Sequence, residues 1–296
     1  MKRFLSILLV FTLVLGMCSM TACQLLDLLF QKEDSPKLTP SEGLDYKLLT
    51  SQNSYTVWGV GTCKDEDIVI PETYKGLSVT SIADMAFYEN ENIKSVYIPS
   101  SVEEIGELAF AYCKNLENVT LNEGIKTLKD GAFMYCYSLA EITIPNTLIE
   151  IHDNAFLACA SLKTVNLHEN ITYIGSSAFN ACISLETLAI PGGIEEGMFQ
   201  IYYGLLNSLK SYEIIGKHDA FYVLDGNLYY RSKDSQTHFL SYAMGKADKE
   251  FTVPGNVDSI ASMAFSYMPY DIEDVLKDES LTDFKYRSAL EKVIIS

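Results

Sequence analysis

Four cysteines recur at an interval of 23 residues, Cys113, Cys136, Cys159 and Cys182, and such a ladder of thiols could form disulfides, hold a metal or supply nucleophiles. Each of these chemistries needs something the pattern lacks. Side chains stacked in register point the same way, which is unfavourable geometry for a disulfide. Structural zinc favours closely spaced pairs such as C-x-x-C, and the chain has none. A nucleophile needs a base at hand, and His152, His168, His218 and His238 are scattered, none beside a repeated Ser or Cys. The thiols therefore read as small buried apolar fillers, although an exported compartment favours disulfides. The carboxylate pairs Glu103/Glu104 and Glu195/Glu196 read as solvated turns, and Lys64-Asp65-Glu66-Asp67 lacks the spaced oxygen ligands of a calcium loop. No G-x-x-x-x-G-K, H-E-x-x-H or G-x-S-x-G occurs. The expectation is a non-enzymatic chain with no catalytic residue, no metal and no cofactor.

The elements that must position these residues repeat without a gap from Val79 to Gly193 in units of 23 residues. The first unit is VTSIADMAFYENENIKSVYIPSS, and the third, starting at Ile125, is IKTLKDGAFMYCYSLAEITIPNT. A fixed period of this length means a solenoid, in which no unit buries its apolar side alone. Positions 1, 4, 8 and 9 carry Val79, Ile82, Ala86 and Phe87; positions 15, 18 and 20 carry Ile93, Val96 and Ile98. The second set is an L-x-x-L-x-L strand signature with alternation suited to a short strand. Neither period 2 nor period 3.6 fits the whole unit. The expected fold is a leucine-rich repeat solenoid, mostly β with irregular or short helical segments, whose Phe, Ile and Leu form core ladders roughly 4.8 Å apart.

The string A-F-x-x-C-x-x-L-x-x-V-x-I-P, seen at Ala132–Pro145, resembles the BspA-like leucine-rich repeats of bacterial surface and secreted proteins. Tyr55–Thr80 looks like the lead-in of such arrays, and Leu224–Tyr230 and Phe251–Phe265 look like further family elements, so the resemblance covers about residues 45–296. It implies adhesion or protein binding outside the cell without naming a partner.

Lys2 and Arg3 precede an apolar run from Phe4 to Met17, the pattern of a secretory signal and too short for a comfortable membrane span. Met20-Thr21-Ala22-Cys23 resembles a bacterial lipobox, which makes Cys23 the lipidation site and the mature protein a membrane-anchored lipoprotein on the bacterial surface. The alternative is simple secretion, with Cys23 merely near the cut. The expected domains are a signal peptide over 1–22, a lipid-anchored tether over 23–44, an N-terminal β cap over 45–78 and leucine-rich repeats over 79–218. A β-hairpin insertion over 219–250 and C-terminal repeats with an insertion over 251–296 complete the chain. The chain carries 39 acidic against 22 basic residues, a net charge of −17, which disfavours nucleic acid and direct docking on anionic headgroups.

Strand alternation turns the residues between the core positions outward. On what the family resemblance makes the concave face, these include Tyr97, Asn118, Thr120, Glu141, Thr143, Thr164, Asn166 and His168. They form the first candidate binding surface, with His168 expected to be exposed. The second is the most aromatic stretch, where Asp225-Gly226 between apolar runs predicts a β-hairpin over 219–243 bearing Tyr229 and Tyr230. Those rings either pack across the strands or form a protruding contact surface. A helix-like acidic segment around Asp271–Lys277 interrupts the last repeats, and either 266–289 covers the final strand or the array continues in another chain. The functional expectation is extracellular binding of a protein or glycan; a structural spacer without a specific site is the alternative.

Overall fold

The computed structural model describes residues 38–194, 208–241, 243, 250–260, 264 and 292–295. The expected signal, Cys23, most of the expected tether, Glu195/Glu196 and the 266–289 segment lie outside the described residues. The chain divides into Met1–Thr39 and Pro40–Ser296, and all of the described strands belong to the second unit.

Each of the first four 23-residue units contributes one strand to each of two sheets built on parallel pairing, and the fifth adds a strand to only one of them. Positions 17–20 form the longer strands, Ser95–Ile98, Asn118–Leu121, Glu141–Thr143 and Thr164–Asn166, with Asp67–Val69 pairing at the first edge. Positions 3 and 4 form two-residue strands, Glu104–Ile105, Thr127–Leu128, Glu150–Ile151 and Tyr173–Ile174. This second sheet continues into the N-terminal strands Leu77–Ile82, Ser54–Gly59 and Asp45–Leu49, the last antiparallel. The apolar sets of positions 1, 4, 9, 15, 18 and 20 meet between the sheets as one core. Phe87, Phe110, Phe133, Phe156 and Phe179 are each at most 1 % exposed and stack nearly parallel, with centroids 4.9–5.6 Å apart. The strand spacing imposes that separation, so one ring per turn fills the interior without a gap.

No helix occurs among the described residues: the segments between the sheets are stacked turns. Position 7 (Met85, Leu108, Gly131, Asn154, Ser177) and position 11 (Glu89, Tyr112, Tyr135, Ala158, Ala181) are left-handed in every unit, with φ of 53–60°. A left-handed L-residue costs roughly 1–2 kcal/mol, so something must offset two per turn. A ladder between turns supplies the offset. The N–H groups of positions 7, 9 and 11 donate to the carbonyls of positions 6, 8 and 10 of the next turn, as in Met85→Glu107, Phe87→Ala109 and Glu89→Ala111, at 2.7–2.9 Å throughout. The intervening N–H groups close tight turns on their own unit, as in Ala86→Ala83 and Tyr88→Met85. Buried backbone that is neither strand nor helix is thereby satisfied.

The cysteine ladder belongs to the same scheme. Cys113, Cys136, Cys159 and Cys182 are free and fully buried. Each Sγ donates to the carbonyl oxygen of the position-9 Phe of the preceding turn, Phe87, Phe110, Phe133 and Phe156 respectively, at 3.1–3.2 Å. The thiols are therefore donors as well as fillers, a role that Ala could not supply. Burial pushes the Cys113 and Cys182 thiols up to about 12 and holds Cys136 and Cys159 well above the usual thiol range.

Beyond the fifth unit, Ser211–Ile215 pairs in parallel with Thr187–Pro191, so the stack resumes after the break in register. Phe221–Leu224 and Asn227–Arg231 then form an antiparallel hairpin. Its two-residue loop is Asp225-Gly226, with φ of 50° and 74°, as a type I′ turn requires. A third strand, Thr237–Ser241, pairs antiparallel with Asn227–Arg231 and in parallel with Ser259–Ile260.

Candidate binding surfaces

Two rows cross the outer side of the longer-stranded sheet. In one, Tyr97, Thr120, Thr143 and Asn166 are direct neighbours across successive strands; in the other, Ser95, Asn118, Glu141 and Thr164 are. Asn118, Thr120, Glu141, Thr143, Thr164 and Asn166 are exposed, and Tyr97 is half-buried. Alternate residues face the core, so these side chains are held at strand spacing on a rigid support. Their small polar groups can exchange hydrogen bonds with a partner but bring little apolar area to a contact.

His168 departs from the expectation of an exposed strand position. It lies just past the strand Thr164–Asn166 and is half-buried. Its Nε2 is 2.8 Å from the carbonyl oxygen of Pro145, while its Nδ1 is buried without a partner. It occupies position 21, where Pro99, Pro145 and Pro191 are buried and Asn122 donates from Nδ2 to the carbonyl of Ile98 at 2.7 Å. Polar residues at position 21 thus tie one turn to the previous one, which takes His168 out of the free contact surface.

The hairpin tyrosines are packed rather than presented. Tyr229 is 2 % exposed, stacks on Tyr222 at 5.2 Å and meets the Phe239 edge at 5.1 Å in a small cluster with Ala264. Tyr230 is half-buried between Phe221 and His238. The physical reason is the third strand, Thr237–Ser241, which covers the hairpin. A protruding contact surface built on Tyr229 is therefore replaced by cross-strand aromatic packing.

A further aromatic surface is one that the sequence alone does not point out. Tyr88, Tyr112, Tyr135 and Tyr137 are half-buried and run as a continuous stripe over the turns of the first three units, with centroids 5.6, 4.6 and 5.9 Å apart. At the matching positions 11 and 13, unit four carries Ala158 and Ala160 and unit five carries Ala181 and Ile183. Since Ala158 and Ala181 hold the same left-handed conformation as Tyr112 and Tyr135, the fold does not require aromatic rings there. The signal is present as tyrosines at positions 10 to 13 that stop after unit three, but it stands out only once core positions are separated from surface ones.

Among the described residues, no three His, Cys, Asp or Glu side chains converge to hold a metal ion. The ion pairs that link neighbouring turns, including Lys94–Glu66, Lys114–Glu91 and Lys126–Glu103, are exposed, and each is worth little.

The profile of the BspA type leucine rich repeat region matches residues 80–206 in six copies. A leucine-rich repeat protein of T. pallidum, TpLRR, is 31 % identical over 62 % of this chain and 84 % of its own, with a TM-score of 0.56. The chain belongs to the BspA-type leucine-rich repeat family. A leucine-rich cell surface protein from Faecalibacterium prausnitzii A2-165 is 25 % identical over 78 % of this chain and 68 % of its own, with a TM-score of 0.60. The pneumococcal vaccine antigen PcpA is 25 % identical over 77 % of this chain and 61 % of its own, with a TM-score of 0.62. A comparison with curated protein sequences gives no significant match.

Proposed function

We propose that this BspA-type leucine-rich repeat protein is an exported, non-enzymatic binding protein, anchored through a lipidated Cys23, that engages an extracellular protein or glycan on the outer face of its longer-stranded sheet. The observation that carries this reading is the pair of in-register rows, with six exposed polar side chains fixed on one rigid support. Export and anchoring are inferred from the basic, then apolar, then lipobox-like N-terminus, and similarity to a described cell surface protein supports export. A second reading places a protein contact on the Tyr88–Tyr137 stripe, because tyrosine supplies large, rigid contact area and is enriched at binding hot spots.

A comparison of variants tests both. Changing Tyr97, Thr120, Thr143 and Asn166 together to Lys puts like charges on neighbouring strands, at a cost of about 2 kcal/mol. The fold should survive by circular dichroism while capture of extracellular partners falls. Changing Tyr112 and Tyr135 to Ser probes the stripe. Loss of capture only in the tyrosine variant moves the site to the turns. Undiminished capture in both sets aside both surfaces, and no saturable partner for the wild type leaves the spacer role.

A further inference from the structure

The only tryptophan of the chain is placed in a way the repeat does not demand. Asp45 pairs with Gly59 and Tyr46 with Val57, which leaves Trp58 as the extra residue of a β-bulge with no partner opposite it. A second bulge on the next strand pair leaves Thr80 in the same position, between Val79 paired with Tyr55 and Ser81 paired with Thr56. Bulges re-aim side chains and concentrate beside binding sites. Both bulged residues line one open cleft of about 750 Å³ on the outer side of the second sheet. Trp58 is 53 % exposed although it is the largest apolar side chain available for burial.

The rest of the cleft is polar and ordered. Ser54 and Thr56, at 3 % and 4 % exposure, alternate with the core residues on the Trp58 strand and contribute to the lining. Ser54 Oγ lies 2.8 Å from Thr80 Oγ1, and Thr56 Oγ1 donates to the Ser81 carbonyl at 3.1 Å. Asp84, Glu103 and Glu104 supply the carboxylates. Each has one oxygen engaged: Asp84 Oδ1 by the Glu107 N–H, Glu103 Oε2 by Lys126 and Glu104 Oε1 by Lys129. Their second oxygens are the available acceptors. Lys47 Nζ lies over the indole at 4.0 Å from its centroid, and Trp58 but not Lys47 lines the cleft.

The indole and the acceptors around it select the ligand. The lining carries three carboxylates, Asp84, Glu103 and Glu104, and one ammonium group, Lys126, with Lys129 pairing Glu104 from outside the lining, on a chain whose net charge is −17. An anion is repelled by the chain as a whole. A cation meets two glutamates whose charge Lys126 and Lys129 already offset, and an Asp84 with one oxygen held by the Glu107 N–H. What remains complementary is an uncharged molecule with an apolar face for the indole and many hydroxyls for the carboxylates and the Ser/Thr floor. We propose that the Trp58 cleft binds a neutral carbohydrate, one or two sugar rings stacking on the indole while their hydroxyls donate to Asp84 and Glu104. This site is separate from the longer-stranded sheet, so either assignment can fail without the other.

Because Trp58 is the only tryptophan, its fluorescence reports this site alone. The soluble protein should be titrated with uncharged hexasaccharides of glucose, mannose, xylose and N-acetylglucosamine, with polygalacturonate and spermine as charged probes. At least one neutral oligosaccharide should shift the emission with a dissociation constant of about 1 mM or tighter. Glu104→Gln keeps the fluorophore and should weaken that binding by about tenfold, the loss of a charge-assisted hydrogen bond. Trp58→Ala, followed by calorimetry, should abolish it with an unchanged melting midpoint. Three results overturn the proposal: an emission shift with spermine or polygalacturonate but no neutral sugar, neutral-sugar binding that persists in Trp58→Ala, or no response to any probe. None of these bears on partner capture by the sheet-face variants.

Discussion

At the scale of the residue, the stack depends on side chains repeated at one position in every turn. Phe133 sits between Phe110 and Phe156, with centroids at 5.3 and 5.6 Å, and has no exposed surface. Phe133→Ala should cost roughly 3–5 kcal/mol; an unchanged thermal midpoint would show that the ring is not held in the core. The thiol ladder gives a pH-dependent counterpart. Burial raises the thiols of Cys113 and Cys182 from 9.0 to about 12 in the fold. The unfolded chain thus loses its thiol protons first as pH rises. Their stabilisation is fully present below pH 9 and is lost as pH rises toward 12, at up to about 1.4 kcal/mol per pH unit for each thiol. Cys136→Ala, which removes one of the four, should flatten the fall in urea midpoint between pH 9 and 11, and a wild-type slope in the variant would refute the coupling. The period alone made the Phe and Cys positions legible in the sequence. The S–H donation to a Phe carbonyl was not, because it depends on how position 12 of one turn meets position 9 of the turn before. The same holds for His168, whose outward reading came from alternation continued one step beyond the strand's end.

Elements show a similar division. Strand positions 17–20 were legible because β-branched and apolar residues alternate there, and the type I′ hairpin because Asp225-Gly226 suits two successive positive φ values. The turns were opaque, since only Gly131 and Asn154 among the ten left-handed residues are of types that favour that conformation. Ala158, with φ of 58° and 5 % exposure, allows a test with two signs. Ala158→Gly removes the left-handed penalty and should raise stability by up to about 1 kcal/mol, net of the entropy glycine adds to the unfolded chain. Ala158→Val places a β-branched residue where φ is positive and should lower stability by about 2 kcal/mol or more. Denaturant midpoints that move in the same direction for both would contradict the turn geometry. The burial of Tyr229 was hidden for another reason. A hairpin signal names two strands, whereas the ring is covered by a third, Thr237–Ser241, whose pairing no local motif announces.

For the whole molecule, the solenoid was legible from five gapless units and the sheet-face rows from strand alternation, while the Trp58 cleft and the tyrosine stripe were not, because a repeat specifies its core and leaves its exterior free to vary. Trp58 and the tyrosine stripe are departures from the repeat, visible only against the packed positions. The proposed anchor, Cys23, likewise lies outside the repeats. Cys23→Ala should release the protein from membranes with its melting unchanged, since acyl chains contribute about 0.8 kcal/mol per buried methylene and none remain without the thiol. Mass spectrometry of an unmodified, soluble wild-type Cys23 would eliminate the lipid anchor. One property of the stack extends over its whole length. In each of the first four units the peptide units that join positions 6–7, 8–9 and 10–11 all aim their N–H groups toward the following turn, whereas peptide dipoles along a strand alternate and cancel. Each peptide carries about 3.5 D, so the turn segments sum to a field along the array, on the order of 10 D per unit if fully aligned. Its positive pole lies at the C-terminal side, the reverse of an α-helix. The two ends of the stack are therefore electrically unlike. Adding a unit strengthens the asymmetry, carboxylates are favoured beyond the last turn and ammonium groups before the first, and another stack could extend the ladder only head to tail.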